Sequence, residues 1–251
     1  MQLERLARFV RARVLIPSLL AALAALIVAV NGPVQAANQN SLVFPPNAHP
    51  HGRSLGAWGG EWWAWMGQYP YAVSPIADSG VVTYGDADEQ PAGNVWFLAG
   101  TFGGPGERTL TVPKNKALLV PLINWDVWAP EDCWWIGASE EPDTCSAADL
   151  QGFLDTFMTE NVTGLSMTLD GQAITGLFDY RASSGAFSLD LLADSLWTDF
   201  GYTPGVRNPN ISDGYYVMVK PLSVGAHELH FTADVDGSTS QDMTYHLTVA
   251  P

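Results

Sequence analysis

From residue 81 to its end the chain is a succession of short apolar runs broken by Gly, Pro, Asn and Asp. Runs at 81–84, 94–101, 108–112 and 117–124 are separated by Gly103-Gly104-Pro105-Gly106 and by Pro113-Lys114-Asn115-Lys116. Further runs follow at 165–169, 172–175, 177–181, 186–191, 215–220, 227–233 and 243–249. Where these runs alternate, they do so with period two: His227, Leu229 and Phe231 fall on one face, and Glu228, His230 and Thr232 on the other. A chain of strands recurring at intervals of roughly 8–12 residues has one economical way to bury its apolar faces, which is to stack two sheets. Asp170-Gly171 between two runs is a two-residue hairpin signal. The pattern predicts a mainly β fold, an antiparallel β-sandwich of jelly-roll type, built as one domain over residues 37–251 with one or two packed helices.

The clearest helix spans residues 146–160. Ser146 is placed to cap it, Asp149 favours its first turn, and Leu150, Phe153, Leu154, Phe157 and Met158 form one apolar stripe. A second helix is expected near 55–67, where Trp58, Trp62, Trp65 and Met66 share a face and Trp63 lies off it. Gly59 and Gly60 weaken that helix unless packing holds it. Before it, Pro45, Pro46 and Pro50 mark an irregular arm.

Residues 1–36 have the layout of a secretory signal peptide: Arg5, Arg8, Arg11 and Arg13, then an apolar stretch over 14–30, then the breaker Asn31-Gly32-Pro33 and small residues at Val34 and Ala36. The expected address is secreted, periplasmic or cell envelope, with membrane association only if the segment stays uncleaved. In an oxidising compartment Cys133 and Cys145, the only cysteines of the chain, are expected to form a disulfide. The balance is acidic, with 26 Asp plus Glu against 11 Lys plus Arg. Such a surface repels phosphate backbones, so no nucleic-acid partner is expected.

Trp58 with Glu61-Trp62-Trp63-Ala64-Trp65, the string Val95-Trp96-Phe97-Leu98-Ala99-Gly100-Thr101-Phe102-Gly103-Gly104, and the late stretches Asp213-Gly214-Tyr215-Tyr216 and Lys220-Pro221-Leu222-Ser223 resemble a family of exported, functionally uncharacterised bacterial proteins. The likeness covers most of residues 37–251. It implies bacterial origin and export, and lends no activity, cofactor or catalytic residue. Similar chains often carry Cys where this one has Leu110, which implies a different set of disulfides here.

Ten tryptophans are many for this length, and they cluster. The cluster at Trp58, Trp62, Trp63 and Trp65 reads as core. Trp125, Trp128, Trp134 and Trp135 fall in an acidic, bridge-closed stretch too short to bury four indoles, and are the candidate ligand-binding residues, since indoles stack on sugar rings. Hard oxygens crowd two loops, and Asp86, Asp88, Glu89, Asp126 and Asp132 are candidate ligands for calcium; the fold itself calls for no cofactor. Paired carboxylates also hydrolyse glycosides, and Glu61 with Asp126 or Glu131 are the candidate catalytic residues. His230 opposite His246 on paired strands is a two-ligand transition-metal signal. No Gly-x-Ser-x-Gly, His-Glu-x-x-His, phosphate-loop or dinucleotide motif occurs. The leading expectation is a non-catalytic binding protein for carbohydrate or polymer, acting through its Trp-rich loops. A secreted glycan hydrolase and a structural envelope protein are its rivals, so whether the chain is an enzyme stays open.

Overall fold

A computed structural model describes residues 41–76, 81–82, 90–134, 136–137 and 145–251. The expected signal peptide, Trp135, Asp86, Asp88 and Glu89 lie outside the described residues. Two sheets stack. The larger runs β1 (Val81–Val82), β3 (Gly104–Pro113), β10 (Ser238–Ala250), β9 (Gly225–Val235), β5 (Val162–Leu169) and β6 (Gln172–Ala173), in that spatial order. The smaller runs β2 (Val95–Phe97), β4 (Ala117–Trp128), β8 (Gly205–Val219) and β7 (Arg181–Leu191). The period-two reading holds: Leu229, Phe231 and Ala233 on β9 meet Met243, Tyr245, Leu247 and Val249 on β10 in the core, while Glu228 and Thr244 face out. Burying such side chains supplies about 1.5–3 kcal/mol each. Asp170 and Gly171 make the predicted hairpin turn with φ of 51° and 75°.

The sandwich is mixed rather than uniformly antiparallel, because β1 pairs with β3, β3 with β10 and β2 with β4 in parallel. Strands joined through the opposite sheet have the long crossover that a parallel neighbour requires, and β2 and β4 are joined in that way through β3. β4 is buried along most of its length because it is covered on both faces. The 177–181 run is a 3-10 turn, Leu177–Tyr180, not a strand: Leu177 and Tyr180, three residues apart, bury together and Phe178 points out.

Three helices dress the smaller sheet. α1 (Leu55–Met66) is capped by Ser54 and lies against β7 and β8. Its glycines let it approach closely: a Cβ on Gly56 would stand 1.8 Å from the Ser183 carbonyl oxygen, and one on Gly59 would stand 2.5 Å from the Tyr216 ring. α2 (Ala147–Asn161) has Ser146 and Asp149 in a reciprocal capping box and buries Leu150 and Leu154 against Val127 and Ile211. Along β8, Ile211 and Asp213 face α2 whereas Ser212 and Tyr216 face α1, so the two helices cover opposite faces of the smaller sheet. α3 (Leu196–Asp199) is a single turn. Trp62, Trp63 and Trp65 are core, as expected for the first cluster; Trp63, off the apolar face of α1, is covered by Trp197 of α3 at 5.8 Å.

Candidate functional site

The 69–76, 99–103 and 192–204 segments meet at one place. Arg108 of β3, fully buried, donates to the carbonyls of Pro75 (2.6 Å) and Gly100 (2.9 Å), and Gln241 of β10 is bonded to both backbone polar groups of Thr101. The Tyr71 N–H donates to Asp199 Oδ2 at 2.7 Å, the Leu196 N–H to the Tyr69 carbonyl, and the Phe102 N–H to the Ile76 carbonyl. These bonds hold Tyr71, Phe102 and Phe200 together in the open, at 44%, 53% and 41% exposure. Tyr71 and Phe102 stack with rings 6.1 Å apart and 20° between planes, and Phe200 meets both edge-on at 5.7 and 5.5 Å. An exposed cluster of apolar side chains is a feature that interaction surfaces share, which makes this one a candidate. Sequence reasoning missed it, since each residue is a lone aromatic in its own loop.

Beneath the segment that carries Phe200 lies a buried polar row. Asp126 of β4 and Asp132 in the following loop are 8% and 5% exposed. Asp132 Oδ2 accepts the Trp128 N–H at 2.8 Å, and Asn210 Nδ2 donates to Asp126 Oδ2 at 3.4 Å. Burial pushes the Asp126 carboxyl well above the usual carboxylate range, and the charge of Asp132 pushes it further, against the Asn210 hydrogen bond. Tyr202 is raised to about 12 by burial and then by Asp132, Asp126 and Glu131, so its hydroxyl is a neutral donor. Arg207 pairs with Glu131 at 2.6 Å. Trp128, Trp197 and Tyr202 wall this row, with ring separations of 5.0 and 5.1 Å. Among the described residues, the indole N–H groups of Trp63, Trp128 and Trp197 lack an acceptor, and Asn210 Oδ1 and Glu131 Oε2 lack a donor. Such unpaired buried atoms are rare in a fold, and several of those described border this row.

The structure sorts the sequence candidates. Trp128 is 3% exposed and walls the acidic row, so it offers no face to a ligand. Trp125 is half-buried against Phe157 at 4.9 Å, because α2 covers that face of β4. Trp134 stands in solvent at 63% exposure. The four-indole platform is thus replaced: within the described residues only Trp134 of that group is open, and the exposed aromatic cluster belongs to Tyr71, Phe102 and Phe200. Asp126 and Asp132 come together, with Glu131 nearby. Glu61 does not join them: it sits on the solvent side of α1, paired with Arg53. Cys133 and Cys145 are bridged, with Cα atoms 5.4 Å apart, which is consistent with an oxidising compartment. No helix among the described residues is long and apolar enough to cross a membrane.

On the outer face of the larger sheet, His230 is opposite Thr244 and His246 opposite Glu228, so the two histidines do not share a register position. Each takes a carboxylate instead: His230 with Asp242 and His246 with Glu107, both at 2.8 Å, while His227 pairs with Asp170 at 2.7 Å. Among the described residues no three His, Cys, Asp or Glu side chains gather closely enough to hold a metal ion by themselves. No protein-family model matches the chain, and no curated protein or solved structure is significantly similar to it.

Proposed function

We propose that the protein is an exported, non-catalytic binding protein that takes carbohydrate or a related polymer on the aromatic platform of Tyr71, Phe102 and Phe200. The observation that carries this reading is the mutual ring contact of three exposed aromatics on loops tied to the fold. Flat apolar faces stack on the C–H faces of sugar rings, and a platform already held in place loses little conformational freedom on binding. The acidic balance of the chain favours neutral or cationic polymers over polyanionic ones. A glycan array followed by titration of any hit tests the reading. Phe102→Ala and Phe200→Ala are each expected to weaken binding about tenfold or more, which corresponds to roughly 1.4 kcal/mol. Unchanged affinity in both variants would refute it.

The nearness of Asp126 to Asp132 favours a second reading, a glycan hydrolase with paired carboxylates. Release of reducing ends from a bound glycan, abolished by Asp132→Asn, would favour it over simple binding. A structural envelope protein would bind nothing on the array.

A further inference from the structure

We infer that the polymer taken on the platform of Tyr71, Phe102 and Phe200 is an amino sugar with free amines, a chain of glucosamine type; this rests on the carbohydrate reading above and narrows it by charge. The platform is made by the 69–76, 99–103 and 192–204 segments, and none of them contains Lys or Arg. Their two charged residues are Asp194 and Asp199, both exposed and neither paired with a cation among the described residues. Two guanidiniums approach these segments from the strands behind, and both are buried and spent on backbone carbonyls: Arg108 on those of Pro75 and Gly100, Arg207 on those of Thr203 and Gly205. The charge that the three loops offer to solvent is therefore wholly negative, and it stands among apolar rings.

Asp199 brings that charge to the rings. It directly precedes Phe200, and its Oδ2 accepts the Tyr71 N–H at 2.7 Å, so one carboxylate is fixed between two platform residues while its Oδ1 takes no bond among the described residues. A neutral sugar ring uses only the aromatic surfaces. A glucosamine unit uses more: its C–H face covers a ring while its protonated amine reaches the carboxylate, and an ammonium within about 6 Å of an aromatic centroid is itself drawn to the ring face. At an exposed site the ion pair alone changes affinity by no more than about fivefold, so the amine supplies selectivity and the rings supply most of the binding. N-acetylation removes the charge from the amine and leaves the C–H faces, which makes the acetylated chain the direct comparison. Glycans carrying carboxylate or sulfate are repelled by the same two aspartates.

Calorimetric titration of the full-length protein in mild acid, where sugar amines hold their protons, compares pentamers of glucosamine and of N-acetylglucosamine. The glucosamine pentamer is expected to bind about fivefold more tightly, with the difference fading as salt is raised. In Asp199→Asn the amide oxygen still accepts the Tyr71 N–H, so the loops keep their tie and only the charge is lost. The preference should then disappear while the N-acetylglucosamine pentamer binds as before, and Phe102→Ala should weaken both pentamers. Equal affinity for the two, lowered in both by Phe102→Ala, would overturn the amine inference and leave the carbohydrate reading standing. A preference that survives Asp199→Asn would overturn it as well. Glucosamine binding untouched by Phe102→Ala would place the ligand on the acidic surface at large, and both the inference and the reading would fall. Binding of neither pentamer would overturn the inference, and the glycan array then decides the reading by itself.

Discussion

Gly56 and Gly152 both sit inside helices, and replacing each by alanine should move stability in opposite directions. In an exposed helix interior, Gly→Ala gains about 0.5–1 kcal/mol by reducing the freedom of the unfolded chain. Gly152 of α2 is exposed, and a Cβ there meets nothing within 4 Å. Gly152→Ala should therefore add most of that increment. At Gly56 the new methyl would lie 1.8 Å from the Ser183 carbonyl oxygen and 2.4 Å from its carbon, both backbone atoms that no rotamer can move. α1 must back away from β7 to make room, which loosens the packing of Trp62, Trp63 and Met66 behind it. Overpacking of this kind costs about 1–3 kcal/mol, and the loss of contact along a whole helix places the net effect near the top of that range. At roughly 2–4 °C per kcal/mol for a domain this size, Gly56→Ala should melt several degrees below the parent and Gly152→Ala a few degrees above it. Urea unfolding with the disulfide intact, followed by both fluorescence and circular dichroism, gives the two free energies. A Gly56→Ala protein as stable as its parent would mean that α1 does not lie against β7 as closely as described.

Reducing the Cys133–Cys145 bridge, which closes a loop of 12 residues in sequence separation, should cost about 3 kcal/mol in the chain-entropy account; an unchanged urea midpoint after reduction would contradict it. Burial pulls the His227 pKa down, but the hydrogen bonds to Asp170 and to the Ser223 carbonyl outweigh it and the value is raised, while Asp170 is lowered despite its own desolvation. The stability from a raised histidine is complete below its unfolded value of 6.5 and fades as pH climbs through the folded one; that from a lowered aspartate is present above 3.8 and fades as pH falls. Asp170→Asn should thus cost stability between about pH 4 and pH 6.5 and little at pH 9, so a pH-independent loss in melting curves would remove the ion pair as the cause. Acrylamide should quench a minor, exposed component of the fluorescence while Trp62, Trp63, Trp65, Trp96, Trp128 and Trp197 stay protected; complete quenching would mean that the core indoles are open.

How legible the chain was depends on the distance over which each feature is encoded. α2 was readable because its cap, first-turn acid and stripe lie within one stretch of sequence, and the strand faces of β9 and β10 because period two is a local property. Trp63 shows where locality ends: the helical wheel places it off the apolar face, and what buries it is Trp197, from a turn more than a hundred residues away. β8 was read from 215 onward and in fact begins at Gly205, since Arg207, Asn208, Pro209, Asn210, Ser212 and Asp213 have the composition of a loop. They are strand because β4 on one side and β7 on the other supply partners for that stretch of backbone.

That misreading bears on the site. A strand with a neighbour on each edge and helices on both faces is a place where Val or Ile would serve stability best, and β8 fills it instead with Asn210, Ser212 and Asp213 at 0%, 0% and 2% exposure. Asp213 has a structural reason, since Arg181 engages it from β7 at 2.9 Å and Gln151 from α2 at 3.2 Å. Ser212 accounts for itself as well, with its N–H on Ser184 and its hydroxyl against Tyr216. Asn210 has no such account: its single side-chain bond is a long one to a carboxylate, and its oxygen faces no donor among the described residues. Asn210→Leu removes an unpaired amide oxygen, whose burial costs about 1–3 kcal/mol, but also takes the Nδ2 donor from the buried Asp126, so the two effects oppose each other and the net change in stability should be small. A loss of several kcal/mol in urea unfolding would mean that the bond to Asp126 is worth more than its 3.4 Å length implies, and a clear gain that the chain carries a polar side chain there at the expense of its own stability.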